Sequence, residues 1–170
     1  FQPNASLPFT LYKAVLNFSG LKGNETVYDL YTGIGTIANF ISKYCQKVIG
    51  IEYIPEAVKD AKENSRINNI KNTEFITGDV LDVLTNRFVM RKGHPDVVIV
   101  DPPRSGMHKK VITKLLSLKP GKIVYVSCNT ATQARDINLL SDKYRISKIQ
   151  PVDMFPHTHH IENIILLQII

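Results

Sequence analysis

The fold of this chain is decided by the stretch Thr26-Val27-Tyr28-Asp29-Leu30-Tyr31-Thr32-Gly33-Ile34-Gly35-Thr36. Residues 26–31 predict a short strand rich in β-branched and aromatic side chains. The loop 32–35 carries two glycines, and the spacing of apolar residues over 36–44 predicts a helix. A strand that passes through a glycine turn into a helix is typical of the first unit of a parallel α/β sheet.

The same alternation of strands and helices continues along the chain. An earlier helix precedes the stretch; Ser6 can cap it and Gly20 can end it. Further strands are predicted at residues 47–52, 73–77, 96–100, 122–127, 144–153 and 161–170. Further helices are predicted at residues 55–68, 80–88, 109–118 and 131–141. This order predicts a doubly wound, mostly parallel, seven-stranded α/β sheet, in which the two consecutive strands at the C-terminus introduce an antiparallel strand.

Composition limits the class of protein. The 170 residues suit one globular domain, and no run of 18 apolar residues suggests a membrane span. The formal charge of +6 fits either a solvated surface or a face for RNA. Two cysteines form no disulfide framework, so a reduced, cytoplasmic setting is expected. Because Phe1 replaces an initiator methionine and no signal peptide is visible, we expect a domain of a longer protein.

A nucleotide-like ligand is predicted at the first glycine loop. Glycines let a backbone approach a ligand closely, and the following helix offers free N–H donors. Gly33, Gly35 and Ala38 even satisfy the dinucleotide fingerprint, which keeps an NAD oxidoreductase open as an alternative. At the end of the second strand, Glu52 can accept hydrogen bonds from both hydroxyls of a ribose.

Three acidic positions favour S-adenosylmethionine over NAD as the cofactor. Asp29 lies inside the first strand, Asp79 follows the third, and Asp101 follows the fourth with Pro102-Pro103 behind it. The two prolines fix a stiff path that can shape a slot for a planar base. Arg104, next in sequence, can pair with a phosphate or an acid, or can cap the sheet edge.

Cys128 is the candidate nucleophile. It follows the fifth strand, at the carboxyl edge where doubly wound sheets bind ligands, whereas we interpret Cys45 as a buried structural thiol. In the segment His157-Thr158-His159-His160-Ile161-Glu162, the histidines have no familiar metal-ligand spacing, so no metal site is predicted. Glu162 is either half-exposed by strand alternation or buried in the site as a general base.

These motifs together resemble the uracil-C5 RNA methyltransferases, which make 5-methyluridine in tRNA and ribosomal RNA. The resemblance covers nearly the whole chain, and its stretches are Phe1-Gln2-Pro3-Asn4, Asp29 to Gly35, Asp101 to Gly106, Ser127-Cys128-Asn129 with Ala134-Arg135-Asp136, and His157 to Glu162. The chain departs from the family at Thr32, where cysteine is frequent, and at Thr130, where proline is common. Neither change removes a reacting group.

The resemblance implies a Rossmann-like, class I catalytic domain over residues 1–170 that uses S-adenosylmethionine. It implies that Cys128 is the nucleophile and Glu162 the base. The side chains that it places against the cofactor are Gln2, Tyr31, Thr36, Glu52, Asp79 and Asp101. It also implies RNA-binding domains, in some members with an iron–sulfur cluster, that these residues do not include.

The expected reaction is methylation of an unstacked uridine in RNA through a covalent bond between Cys128 and C6 of the base. A cytosine-C5 methyltransferase is the nearest alternative, but those RNA enzymes usually carry a second cysteine where Pro103 and Arg104 stand. Another possibility is that the isolated chain binds cofactor without turnover. A monomer is expected.

Overall fold

A computed structural model describes residues 6–153 and 161–170 of the chain. The strands are β1 (Thr26–Leu30), β2 (Lys47–Glu52), β3 (Thr73–Thr77), β4 (Val97–Val100), β5 (Lys122–Ser127), β6 (Tyr144–Asp153) and β7 (Ile161–Ile169). The helices are α1 (Ser6–Ser19), α2 (Thr36–Ile41), α3 (Pro55–Ile67), α4 (Val80–Val83), α5 (Asn86–Lys92), α6 (Lys109–Leu118) and α7 (Thr130–Leu140), with a 3-10 turn at Ser42–Tyr44 after α2. None of these helices combines the length and apolar character needed to cross a membrane.

The seven strands form one sheet in the order β3-β2-β1-β4-β5-β7-β6. Strands β1 to β5 pair in parallel, and β7 is antiparallel to both of its neighbours, β5 and β6. The predicted doubly wound sheet with an antiparallel C-terminal strand is therefore confirmed. The strand order reverses between β1 and β4, which is where ligands bind in open α/β sheets.

The two faces of the sheet carry separate cores because side chains alternate along each strand. In β1, Val27 packs in the core under α1, α2 and α3, whereas Tyr28 packs in the core under α4 to α7. β4 alternates in the same way, and all four of its residues are buried. This two-sided burial accounts for the apolar run that predicted a central parallel strand.

One predicted helix is wrong in its extent. The single helix expected at 80–88 is two helices, α4 and α5, which are separated at Leu84 and Thr85. Thr85 is the N-cap of the second helix, and its hydroxyl accepts a hydrogen bond from the Phe88 N–H at 3.2 Å. A threonine that satisfies a free N–H in this way starts a new helix.

Candidate active site

Five reactive side chains share one face of the sheet. They occupy the alternate positions that continue the core under α1 to α3: Asp29, Glu52, Asp101, Cys128 and Glu162. In β5, for example, Val124 and Val126 pack in this core, so Cys128 is the next position of the same parity. All of them except Asp29 also lie at the edge formed by the carboxyl ends of the parallel strands, where the sequence predicted a site.

Cys128 and Glu162 come to facing positions on neighbouring strands. The last pair of the antiparallel β5–β7 ladder is Ser127 with Asn163. One step beyond this pair, Cys128 follows Ser127 and Glu162 precedes Asn163. Both side chains are partly exposed. The predicted nucleophile and base are therefore adjacent across the strands, although the chain separates them by α7 and β6.

The turn that carries Cys128 is fixed by its two neighbours. The Ser127 hydroxyl accepts a hydrogen bond from the Asn129 N–H at 3.0 Å and donates one to the Asn129 carbonyl at 3.1 Å. The side chain of Asn129 caps α7 by accepting from the N–H groups of Ala131 and Thr132. Cys128 thus sits in a rigid turn between a buried serine and a helix cap.

Glu52 holds two loops together at the predicted cofactor site. Its carboxylate accepts a hydrogen bond from the Gly33 N–H at 3.0 Å and another from the Ile54 N–H at 2.9 Å. A carboxylate has about four lone-pair sites, so about two remain for a ligand. These two hydrogen bonds join the glycine loop to the end of β2.

A side chain is disfavoured at the two glycines of the loop for different physical reasons. Gly33 has a φ of 56°, and a Cβ there would meet no atom within 4 Å. Gly35 has a φ of 75°, and a Cβ there would lie 2.8 Å from the Phe75 ring and 2.9 Å from Cβ of Ala61. The packing of α3 and β3 therefore requires Gly35, so the interpretation of this glycine as an aid to ligand approach is incomplete.

Two of the carboxyl groups have raised pKa values. Complete burial raises the pKa of Asp29 to about 7. A short hydrogen bond from the Thr32 hydroxyl acts in the opposite direction and lowers this pKa, whereas the negative charge of Glu52 raises it further. Asp101 keeps surface open to solvent, yet reduced hydration of its carboxyl raises its pKa to about 7. The negative charges of Glu162 and Asp29 act on Asp101 in the same direction.

A cleft of about 680 Å³ opens beside the switch point, and Tyr31, Asp79, Pro103, Met107 and Arg135 contribute to its lining. Tyr31 has a φ of 64°. Burial, followed by the charges of Asp79 and Asp136, raises the pKa of its phenol to about 12, so the hydroxyl stays protonated. Asp79 caps α4 by accepting from the Leu81 N–H at 2.7 Å. Thr36, which is exposed, begins α2, and the assignment of Tyr31, Asp79 and Thr36 to the cofactor stays a prediction.

Helix α7 holds the loop that follows β4. The Arg104 carbonyl accepts hydrogen bonds from Asn129 and Thr132, at 3.0 and 3.1 Å. The Ser105 carbonyl accepts from the Arg135 guanidinium at 2.9 Å. These contacts place the Arg104 backbone next to Asn129, the residue that follows Cys128.

The buried carboxylate of Asp136 is the centre of this attachment. It accepts hydrogen bonds from the Met107 N–H and the Tyr125 hydroxyl, both at 2.7 Å, and pairs with Arg135. A Cβ on Gly106 would lie 2.6 Å from this carboxylate. No role was predicted for Arg135 and Asp136, because only their adjacency in a motif marked them.

Some predicted residues lie outside the described part of the chain. These are Gln2 and the histidines 157, 159 and 160. Within residues 6–153 and 161–170, no group of three or more candidate ligands could hold a metal ion. The prediction concerning the histidine segment stays a prediction. Cys45 is buried as expected, and this burial raises the pKa of its thiol to about 11.

The sheet order and the acidic carboxyl edge define a class of protein. The antiparallel strand between β5 and β6 separates this sheet from the dinucleotide-binding order, in which the strands run 3-2-1-4-5-6 in parallel. The chain has the Rossmann-like fold of the class I S-adenosylmethionine-dependent methyltransferases. An N-methyltransferase, NodS of Bradyrhizobium japonicum, has this fold with a TM-score of 0.78 at 14% identity over 99% of both chains.

The chain belongs to the tRNA (uracil-5-)-methyltransferase family, whose sequence profile matches residues 1–170. It is 57% identical to an uncharacterized RNA methyltransferase of Bacteroides thetaiotaomicron over 99% of this chain and 37% of that protein. It is also similar to the tRNA (uracil-54, C5)-methyltransferase of Pyrococcus abyssi, solved with S-adenosyl-L-homocysteine, with a TM-score of 0.84 and 38% identity over 98% of this chain and 39% of that one. The chain thus spans a little more than a third of the length of these relatives.

Proposed function

We propose that this chain is the catalytic part of an enzyme that transfers a methyl group from S-adenosylmethionine to C5 of a uridine in RNA. The observation that carries the proposal is the facing placement of Cys128 and Glu162 at the ends of β5 and β7. Family membership supports methyl transfer over hydride transfer, and the absence of a second thiol near Asp101 supports uracil over cytosine.

The residues of the edge fit S-adenosylmethionine. Glu52 has lone pairs left for ribose hydroxyls, and the exposed apolar side chains of Ile34, Tyr53 and Ile54 suit an adenine ring. The carboxyl of the exposed residue Asp101 suits a sulfonium cation, and one oxygen of the buried Asp29, Oδ1, has no hydrogen-bond partner among the described residues. The cofactor would supply an electrophilic methyl group bonded to positively charged sulfur.

The chain's own residues would then carry the covalent chemistry. The thiolate of Cys128 adds to C6 of uracil, which forms a C–S bond and moves the ring electrons towards C5. Once C5 carries the methyl group, Glu162 removes the remaining C5 proton. The electrons of that C–H bond re-form the C5–C6 double bond, the C–S bond breaks, and the Cys128 thiolate is released.

RNA would bind at this edge with its target base out of the stack, because C5 and C6 of a stacked base cannot reach Cys128. Exposed basic residues surround the site, among them Arg104, Lys109 and Lys110. They would attract the phosphate backbone. The described cysteines, Cys45 and Cys128, are both free, which agrees with a cytoplasmic setting. The choice between tRNA and ribosomal RNA is an outcome of the experiment below, and the monomeric state stays a prediction.

The test uses S-adenosylmethionine and RNA transcripts that contain 5-fluorouridine, with the product run on a denaturing gel. Fluorine at C5 cannot leave as a proton, so the Cys128 adduct should be trapped as a protein–RNA band. Cys128→Ala should abolish the band but keep cofactor binding by calorimetry. Cys45→Ala, which changes the buried thiol, is the matched control and should keep the band. tRNA and ribosomal RNA transcripts are compared side by side.

A missing band on a transcript that the protein retains on a filter would overturn the covalent mechanism. A band that persists in Cys128→Ala would overturn the assignment of the nucleophile. With ordinary uridine, Glu162→Gln should make the adduct accumulate, because methyl transfer proceeds and the C5 proton stays. If the adduct decays as fast as in the parent protein, another group is the base.

A further inference from the structure

Two buried amides join helix α7 to the strand that carries Glu162. Gln133 is 1% exposed and Asn163 is 9% exposed. The Asn163 side-chain amide donates to Oε1 of Gln133 at 2.7 Å. In return, the Gln133 amide donates to the Asn163 carbonyl at 3.1 Å and to the Tyr125 carbonyl at 3.0 Å. We call this pair the amide clamp; it satisfies every donor of Gln133.

The amide clamp lies directly behind the reacting residues. Asn163 follows Glu162 in sequence and pairs with Ser127, which precedes Cys128. Because side chains alternate, Asn163 points to the face that α7 covers, and Glu162 points to the opposite face with Cys128. The clamp therefore fixes the ends of β5 and β7 from the rear of the sheet.

Stability alone does not account for amides at these positions. Replacing both partners of a buried hydrogen bond by apolar groups of the same shape can be nearly neutral, and the apolar side chains of Tyr125 and Ile165 lie buried on the same face of the sheet as Asn163. An apolar pair does not fix the orientation of its partners, because dispersion contacts are not directional and persist when a strand slides or tilts. A fully satisfied polar network holds one arrangement.

We propose that Gln133 and Asn163 are positioning residues that hold the Glu162 carboxylate where it reaches the C5 proton of the uracil bound to Cys128. The inference rests on the proposed function and concerns its last steps. Cys128 is also held by Ser127 and by the cap of α7, so its position does not depend on the clamp alone. Loss of the clamp should therefore affect proton removal more than formation of the adduct.

The experiment measures single turnovers of uridine-containing RNA by rapid quenching, with the adduct and 5-methyluridine followed separately. In the double variant Gln133→Leu/Asn163→Leu, adduct formation should stay within about threefold of the parent, and adduct decay should slow at least about tenfold, as a displaced catalytic group predicts. Gln133→Met, which keeps the chain length and loses the hydrogen bonds, should show the same split if the double variant fails to fold. Ile112→Val trims the same core away from the strand ends and should leave both rates unchanged.

The outcomes separate this inference from the function on which it rests. A parent protein that forms no adduct with uridine or 5-fluorouridine RNA overturns the proposed function. A parent that forms and resolves the adduct, with clamp variants that resolve it equally fast, overturns the positioning role alone. Equal slowing of formation and decay would also overturn it, because a general loss of structure predicts that result.

Discussion

Three glycine substitutions should separate backbone strain from packing in and around the loop that contains Gly33 and Gly35. At Gly33 only the φ of 56° opposes a side chain, so Gly33→Ala should lower the free energy of unfolding by about 1–2 kcal/mol. At Gly50 a Cβ would lie 2.5 Å from the Phe75 ring without a left-handed φ. Gly50→Ala should therefore cost about 1–3 kcal/mol from overpacking, less about 0.5–1 kcal/mol that alanine recovers in a strand.

Gly35 combines both effects, because its φ is 75° and its Cβ would lie 2.8 Å from Phe75. Gly35→Ala should thus cost about 2–5 kcal/mol, the sum of the two separate costs. Urea unfolding followed by circular dichroism measures all three variants, and each 1 kcal/mol should lower the Tm by about 2–4 °C for a chain of this size.

The background variant Phe75→Leu provides the control for the packing contribution. With a smaller side chain at position 75, Gly35→Ala should cost less, and the cost of Gly33→Ala should not change. Equal costs for Gly33→Ala and Gly35→Ala in the parent chain would refute the packing argument. So would a cost for Gly35→Ala that is the same with Phe75 and with leucine.

Two further predictions concern buried carboxyl groups. Burial raises the pKa of Asp29 from 3.8 to about 7, so the folded chain binds this proton more tightly than the unfolded chain. The contribution of Asp29 to the free energy of unfolding should therefore fall as the pH rises from about 4 to about 7. Asp29→Asn should flatten that fall in urea titrations at pH 5 and pH 8, and an unchanged difference between the two pH values would contradict it. Asp136→Ala leaves the Met107 N–H and the Tyr125 hydroxyl without their acceptor and should cost about 2–5 kcal/mol. Asp136→Asn, which retains one acceptor oxygen, should cost less in the same urea titration, and equal costs would argue against these hydrogen bonds.

Local patterns in the sequence determined most of the elements. The bounds predicted for β2, β3, β5 and α6 agree with the structure, because each contains apolar residues that pack in the core and is flanked by turn residues. The sequence also determined which chemical groups are present, since the motifs around Asp101 and Cys128 place acids and a thiol at strand ends. The break between α4 and α5 at Thr85 was not predicted from the sequence, because a threonine caps a helix only where the chain already turns.

Only the tertiary structure decided how the proposed nucleophile and base meet. The insertion of β7 between β5 and β6 brings Glu162 opposite Cys128, and no local pattern encodes which strand a C-terminal segment pairs with. The same pairing places Glu162, which is partly buried, on the face of the sheet that carries Cys128. The roles of Asp136 and of the amide clamp likewise depend on contacts between distant segments. The spacing of residues along the chain predicts which side chains alternate along a strand and which residues cap a helix. The pairing of strands across the sheet is set by the packing of the whole domain.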